Sequence, residues 1–290
     1  VYKRQAQGLL GIDDPKVSLR DWLAGRSYST GFRELYLQPM GAAIWSAAPD
    51  EFLDFPAATF ARFFENHQLL QTRGLLPWRT VSGGSRSYVD AIARRLEGKI
   101  TLDHPVQTIE RHSDGVRLVG PDGSGSEFDR VILATHSDQA LRLLANPTRD
   151  EAKILSAIRY QENDAVLHTD ERLMAGRRRA WASWNYRVTA ETRPRVLVTY
   201  DMSRLQSLET ERRVLLTLNG RDRIDPKRML KAENYHHPVF DAGAIAAQQR
   251  HDVIDGAGGV HYCGAYWRYG FHEDGLWSGM RVAARIEAGA

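Results

Sequence analysis

The spacing of apolar residues predicts a helical first third of the chain. Phe60, Phe63, Phe64 and His67 recur at the intervals that place residues on one face of a helix. A second helix is predicted over residues 88–96, with serines before it and a glycine just after it. We therefore expect roughly the first ninety residues to be mainly helical.

The pattern changes to a strand period after residue 115. Residues 116–119 and 128–133 flank a Pro-Asp-Gly-Ser-Gly turn at 121–125, which predicts a hairpin. Residues 131–134 form a continuous apolar run, which predicts a strand buried on both faces. Thr148 and Glu151 have the spacing of a capping box at the start of the next helix.

Short strand-like runs dominate the following region and predict an antiparallel sheet. The runs are residues 165–167, 181–186, 196–200 and 214–218. A further strand is predicted at 260–263, and a glycine-rich loop then leads into a helix through Ile286. This alternation indicates an α/β fold of mixed α+β character, with one discontinuous domain.

Composition narrows the functional classes. The net charge of +3 comes from 39 basic and 36 acidic residues, which argues against a nucleic-acid partner. The single cysteine, Cys263, excludes an internal disulfide framework and favours a reducing compartment, so we expect a cytoplasmic protein. No membrane-spanning run is present. The arginines at 177–179 predict a solvated loop, with peripheral contact to an anionic membrane surface as the alternative.

The most informative segment runs from residue 262 to 279. A buried strand ends at Gly264, an aromatic-rich bend follows, and a helix is predicted to begin near Asp274. A helix start favours an anion or an electron-rich ring edge, and Gly275 and Gly279 leave one helix face bare for a flat group. The alternative is an ordinary helix with Asp274 as its N-cap and with the aromatics in a core.

Several separate motifs resemble the flavin amine-oxidase superfamily, and most closely its bacterial members known only as NAD/FAD-binding or amine-oxidase-like proteins. The resemblance begins at about residue 18 and extends to the end of the chain. The motifs are YLQPMGAAIWS at 36–46, FFENH at 63–67, WRTVSGGSRSYV at 78–89, WASWNY at 181–186, HPVF at 237–240 and GFHEDG at 270–275.

The resemblance implies FAD as the cofactor and assigns residues to it. The implied cofactor contacts are Val106 at the adenine, Ala134 and Thr135 at a strand end, Gly264 and Ala265 at the ribityl–pyrophosphate, and Gly270, Phe271, His272, Glu273, Asp274 and Gly275 along the isoalloxazine. Phe271 would also wall the substrate, and Tyr269, Phe271 and His272 are the candidate catalytic residues. Asp274 stands where the family has a glycine, which leaves the local register open by about one residue.

The glycine fingerprint that binds the pyrophosphate is not found in this sequence. The codons that would encode Val1–Gln5 also resemble a transposon end used in preparing sequencing libraries. We therefore expect an N-terminally truncated fragment, inactive by itself, of a glutathione-reductase/amine-oxidase type FAD-binding fold without its first Rossmann βαβ. The expected ranges are an artefact or linker remnant at 1–17, a FAD-binding domain at 81–147 and 256–290, and an interleaved substrate domain of helices at 18–80 and antiparallel sheet at 148–255.

The expected reaction is hydride transfer from an apolar substrate to flavin N5. The close relatives are often encoded beside cyclopropane-fatty-acid synthase-like genes. A lipid or fatty acyl chain is therefore the leading hypothesis for the substrate. The candidate substrate pocket consists of Trp45, Trp184, Tyr186 and Tyr200, although each could be a core residue.

Alternatives stay open. One is oxidation of a small amine, although no lysine sits in a motif that suggests a place beside N5. Others are a non-catalytic flavin-binding protein and a metal-dependent hydrolase. The hydrolase would use histidines near the C-terminus, whose spacing matches neither an H-E-x-x-H nor a paired-cysteine pattern: His236, His237, His251, His261 and His272. The sequence does not indicate the oligomeric state.

Overall fold

The computed structural model describes residues 14, 16–45, 47–69, 77, 79–187 and 197–289. The helices are α1 (Leu19–Ala24), α2 (Thr30–Phe32), α3 (Gln38–Ile44), α4 (Pro49–Phe52), α5 (Ala57–Asn66), α6 (Arg86–Arg95), α7 (Ser137–Leu143), α8 (Arg149–Ser156), α9 (Met202–Leu205), α10 (Ala242–Gln248), α11 (His251–Ile254) and α12 (His272–Glu287). A π-helical segment, Arg33–Leu37, joins α2 to α3.

The strands are β1 (Thr108–His112), β2 (Gly115–Val119), β3 (Gly125–Phe128), β4 (Val131–Leu133), β5 (Tyr160–His168), β6 (Trp184–Arg187), β7 (Leu197–Asp201), β8 (Leu215–Leu218), β9 (Met229–Pro238) and β10 (Val260–Tyr262). The described residues divide into two units. Unit 1 comprises those of Val1–Ile100 and Gln161–His237, and unit 2 those of Thr101–Tyr160 and Pro238–Ala290. The assignment of substrate and FAD binding to separate domains stays a prediction.

Unit 1 contains the helical beginning that the sequence predicted. The aromatic residues of α5 face inward and pack with Trp45, whose ring centroid lies 4.6 Å from Phe63 and 4.7 Å from Phe55. Gly41 is required in α3 because a Cβ atom there would lie 2.0 Å from the ring of Phe52. The predicted helix at 88–96 is also present as α6, but its apolar residues Tyr88, Val89, Ile92 and Leu96 are exposed.

The predicted antiparallel sheet is the other part of unit 1. Its strand order is β6-β7-β8-β5-β9, and cross-strand pairs such as Thr199 and Thr217 fix the register of β7 and β8. Val196, part of one predicted strand, lies outside the described residues. The sequence pattern did not predict β9, because this strand forms the edge of the sheet. Most of its residues are exposed, so it lacks an apolar alternation.

Unit 2 contains an antiparallel sheet of order β1-β2-β3 and a parallel pair, β4 and β10. The hairpin prediction is confirmed by β2 and β3, but residues 128–133 form two strands in different sheets. The prediction that β4 is buried on both faces is wrong, since Ile132 is 47% exposed where no described element covers it. The capping box is confirmed, with Glu151 donating its backbone N–H to Thr148 Oγ1 over 3.2 Å.

The core of unit 2 collects apolar side chains from the hairpin, the parallel pair and the helices. Its largest fully buried members are Ile109, Ile154, Leu155, Ile158 and Tyr262. Among the described residues of the whole chain, no helix combines the length and apolar composition that crossing a membrane requires.

Candidate functional site

The carboxyl ends of two parallel strands bring four of the predicted cofactor residues together. β4 and β10 pair in register, and the Cys263 N–H donates to the carbonyl of Leu133 over 3.0 Å. Ala134 and Thr135 therefore leave β4 at the same edge at which Gly264 and Ala265 leave β10. Ligands of α/β folds bind at this edge of a parallel sheet.

Gly264 connects this strand end to helix α12. Its N–H donates to Ser278 Oγ over 2.8 Å, and that hydroxyl donates to the carbonyl of Gly275 over 2.9 Å. A Cβ atom at position 264 would lie 2.4 Å from the ring of Tyr266, so the close approach requires glycine. We did not predict a role for Ser278 from the sequence. Its position three residues after Gly275 could have indicated one.

Helix α12 begins two residues earlier than predicted. Its first residue is His272, and Phe271 rather than Asp274 occupies the N-cap position. Asp274 is buried and acts from inside the first turn, where its Oδ2 accepts the backbone N–H of Phe271 over 2.9 Å. The helix starts earlier because a carboxylate at the third helical position can accept the backbone N–H of the N-cap residue from within the helix. Arg268 Nε lies 3.7 Å from the same carboxylate.

The start of α12 is open and carries unpaired donors. A Cβ atom at Gly275 would meet only ordinary contacts with Ala265, the nearest at 3.9 Å. In the described part of the chain, no acceptor takes the backbone N–H groups of Ala265 and Glu273. A helix of 16 residues adds a partial positive charge at this end. These features fit the electron-rich edge of a flavin ring.

The candidate catalytic residues lie around this helix start. Phe271, 38% exposed, and His272 are on the surface. Tyr269 is half-buried, with the Arg268 guanidinium 5.7 Å from its ring centroid. Gly270 donates its N–H to the carbonyl of Ala265 over 3.1 Å and has a positive φ of 92°, which favours glycine. Their catalytic roles stay predictions.

Val106 lies elsewhere in unit 2, before the first residue of β1. Its partly buried side chain packs against the core of the unit. The structure does not record a contact between Val106 and the strand-end residues, so its predicted place at the adenine stays a prediction.

A buried polar network contacts Tyr262, the last residue of β10. The Tyr262 hydroxyl donates to Glu151 Oε1 over 2.6 Å, and Arg111 forms an ion pair with the same oxygen. Glu151 has no exposed surface, and its other oxygen accepts the Thr148 backbone N–H over 2.8 Å. Burial, followed by the hydrogen bond to Glu151, raises the pKa of Tyr262 well above its ordinary value, so the hydroxyl remains a donor.

Cys263 follows the last residue of β10 but has the features of a core residue. Burial raises the pKa of its thiol, and the nearby Asp255 carboxylate raises it further. The thiol therefore stays protonated at neutral pH, which excludes an activated thiolate nucleophile.

Unit 1 brings three of the four predicted substrate-pocket residues onto one sheet face, which we call the aromatic face: Trp184, Tyr186 and Tyr200. Trp184 pairs with Tyr200 across β6 and β7, and its ring lies 5.7 Å from that of Tyr186. The Tyr186 hydroxyl donates to the Leu35 carbonyl over 3.1 Å, within the π-helical segment. The structure places Trp45 in the helical core instead, where only 6% of it is exposed.

Three of the histidines considered for a metal site have other polar groups near their ring nitrogens. In unit 2, His251 Nε2 lies 2.7 Å from the Tyr262 carbonyl, and His261 Nδ1 lies 3.3 Å from Asp255. In unit 1, His237 contacts Asn163 at 3.0 Å. Among the residues that the structure describes, no group of three histidine, cysteine or acidic side chains could hold a metal ion.

The sequence matches the family of flavin-containing amine oxidoreductases over residues 6–287. The chain belongs to this family. It is therefore a FAD-dependent oxidoreductase of the amine-oxidase type, and its resemblance to that superfamily is confirmed. No curated protein sequence matches the chain.

Solved structures share the fold at low sequence identity. A putrescine oxidase from a redesign of cofactor binding has a TM-score of 0.66 and 14% identity, over 100% of this chain and 74% of that one. Cyclohexylamine oxidase from Brevibacterium oxydans IH-35A has a TM-score of 0.63 and 15% identity, over 98% and 72%. A CLA-producing fatty acid isomerase from P. acnes has a TM-score of 0.59 and 13% identity, over 97% and 74%. These likenesses confirm the mixed fold class and leave the substrate open.

Proposed function

We propose that this protein holds FAD and oxidises an apolar substrate such as a fatty acyl chain, with flavin N5 as the acceptor of a hydride and with a second hydrogen leaving the substrate as a proton. The cofactor supplies the redox chemistry, and the residues of the chain hold it, orient the substrate and exclude water.

The observation that carries the proposal is the open start of α12 beside the ends of β4 and β10. The free N–H groups of Ala265 and Glu273 are donors for the electron-rich edge of the isoalloxazine. The helix N-terminus favours the negative charge that gathers at this edge on reduction, and fixed dipoles of this kind stabilise charge without reorganisation. Gly275 leaves room for the ring to approach the backbone.

The aromatic face supports an apolar substrate. Trp184, Tyr186 and Tyr200 present ring surface, which binds hydrocarbon through burial of apolar area. Burial raises the pKa of both Tyr186 and Tyr200, so their hydroxyls stay neutral. Such a wall provides the apolar area that an acyl chain needs for binding.

Oxidation of a small amine is the second candidate, and family membership favours it. Superfamily amine oxidases often have a lysine beside flavin N5. All lysines in the described part of the chain have exposed side chains: Lys16, Lys99, Lys153, Lys227 and Lys231. None of these lysines belongs to the start of α12 or to the residues that directly follow β4 and β10, which favours the apolar substrate over the amine.

Anaerobic reduction of the flavin distinguishes the candidates. The purified FAD-loaded protein is mixed with fatty acids of increasing chain length and, separately, with primary amines, and the flavin absorbance is followed. The proposal predicts bleaching by fatty acids, with weaker apparent binding in Tyr200→Leu. Tyr235→Leu, a change on the exposed edge strand β9, is the matched control. Bleaching by amines alone would favour amine oxidation, and no bleaching by either class would favour a non-catalytic flavin protein.

A further inference from the structure

Unit 1 contains a polar cavity of about 550 Å³, which we call the arginine-lined cavity. It lies beside the end of β5, and four cationic side chains line it: Arg212, Arg213, Lys227 and Arg228. Its volume is in the range of small-ligand sites, but such sites are usually mostly apolar. A polar lining of this kind predicts a charged ligand.

One wall of the cavity is fixed by a buried carboxylate. Asp170 has no exposed surface; its Oδ2 accepts from Arg172 Nη2 over 2.5 Å and from the Asp225 backbone N–H over 3.0 Å. The Thr169 N–H donates to the Arg228 carbonyl over 3.0 Å. These contacts anchor the turn that carries Lys227 and Arg228 to the end of β5.

A further cation of the lining, Arg213, is also held in place. Its Nη1 donates to the buried Asp201 carboxylate over 2.5 Å, and its guanidinium lies 5.4 Å from the ring centroid of Trp181. Arg178 lies over the same ring at 5.3 Å. The Trp181 indole therefore contacts two guanidinium groups, those of Arg213 from the cavity lining and of Arg178. Such contacts stabilise positive charge.

The carboxylates that line the cavity neutralise only part of this charge. Glu171 lies 3.8 Å from Arg213 and 3.6 Å from Arg178, and Asp225 lies 3.8 Å from Arg228.

Arg212 and Lys227 have no carboxylate partner among the described residues, and the exposed Glu211 is the remaining acid at the cavity. The cavity therefore presents two exposed cations, Arg212 and Lys227, whose charge is available to a ligand.

We propose that the arginine-lined cavity binds a phosphate group, carried either by a small phosphorylated molecule or by a lipid headgroup. The planar fork of an arginine suits two oxygens of a phosphate at once, and a lysine adds a mobile point charge. The lining of this site contains none of the residues assigned to flavin and substrate, and the proposal does not depend on the proposed reaction.

The test compares anion binding by two matched double variants of the FAD-loaded protein. Arg212→Gln/Lys227→Gln removes the two available cations, and Arg94→Gln/Arg95→Gln removes two exposed cations from the last turn of α6, outside the cavity. Pyrophosphate binding is measured by calorimetry at low salt, and unfolding midpoints check that both variants fold. We expect saturable wild-type binding that weakens with salt, a loss of about tenfold or more in the first variant, and wild-type affinity in the second.

A second arm identifies the source of the phosphate. Sedimentation with phosphatidylcholine vesicles, with and without phosphatidylglycerol, is compared in the same proteins. Binding to the anionic vesicles that is lost in Arg212→Gln/Lys227→Gln assigns the cavity to a lipid headgroup, whereas pyrophosphate binding alone assigns it to a small phosphorylated molecule. Equal binding by the two double variants, or no saturable binding of either probe, would overturn the proposal.

Discussion

The buried histidine of β5 predicts a loss of stability in mild acid. His168 has no exposed surface. Its Nδ1 accepts the backbone N–H of Asp170 over 3.0 Å, so the proton of the neutral ring sits on Nε2, 2.7 Å from Thr217 Oγ1. Thr217 in turn lies 2.9 Å from Thr199 Oγ1. Protonation of Nδ1 would remove the acceptor for the Asp170 N–H and place a charge in the sheet interior.

The size of the effect follows from the pKa of this ring. Burial lowers the pKa of His168 from 6.5 to about 4, although the Asp170 carboxylate opposes part of this shift. Because the folded-state pKa is depressed, the unfolded chain takes up the proton first. The stabilisation is present above pH 6.5 and is lost as the pH falls toward 4. Between pH 7 and pH 5 this linkage removes about 2 kcal/mol from the free energy of unfolding.

Urea unfolding at pH 7 and pH 5, followed by tryptophan fluorescence at constant ionic strength, measures this loss. His168→Asn keeps an acceptor for Asp170 but cannot titrate, so its stability should be lower at pH 7 and should change by about 2 kcal/mol less than the wild type between the two pH values. His104→Asn, at an exposed site, is the control and should keep the wild-type dependence. An equal pH dependence in His168→Asn and wild type would refute the reasoning.

Three further predictions concern unit 2. Gly279→Ala should raise the free energy of unfolding by about 0.5–1 kcal/mol in urea titrations, because it removes a mid-helix glycine from α12 where nothing lies within 4 Å; a less stable variant would contradict this. Gly275→Ala should leave the apoprotein folded, since Ala265 tolerates the added Cβ, but should lower the FAD content after dialysis; full retention of FAD would place the ring elsewhere. Glu151→Gln should cost about 3 kcal/mol by calorimetric unfolding, since it leaves the Arg111 charge part-buried without its partner, and a neutral outcome would show that the pair is dispensable.

Local sequence signals predicted those parts of the fold that depend on near neighbours. Thr148 and Glu151 are three residues apart and close their own hydrogen bonds, so the capping box was readable from spacing alone. The Phe60–Phe64 pattern predicted α5 because the apolar residues of that helix lie on one buried face.

Features set by distant parts of the chain were not predictable in the same way. Glu151 accepts a hydrogen bond from the Tyr262 hydroxyl, and the two residues are 111 positions apart in the sequence. No local sequence pattern at either residue predicts that contact. The sheet neighbours of Ile132 decide its exposure, and its apolar run predicts only a strand. At the candidate site, glycine spacing and the resemblance located the helix start to within two residues. The buried position of Asp274 inside the first turn depends on how the bend folds back.

The claim that the chain holds FAD at the start of α12 is tested most directly by the visible absorption spectrum of the purified protein, expressed from its full coding sequence. The account predicts a flavin spectrum, with FAD released on denaturation at close to one equivalent per chain. A colourless protein that also fails to take up added FAD would contradict it.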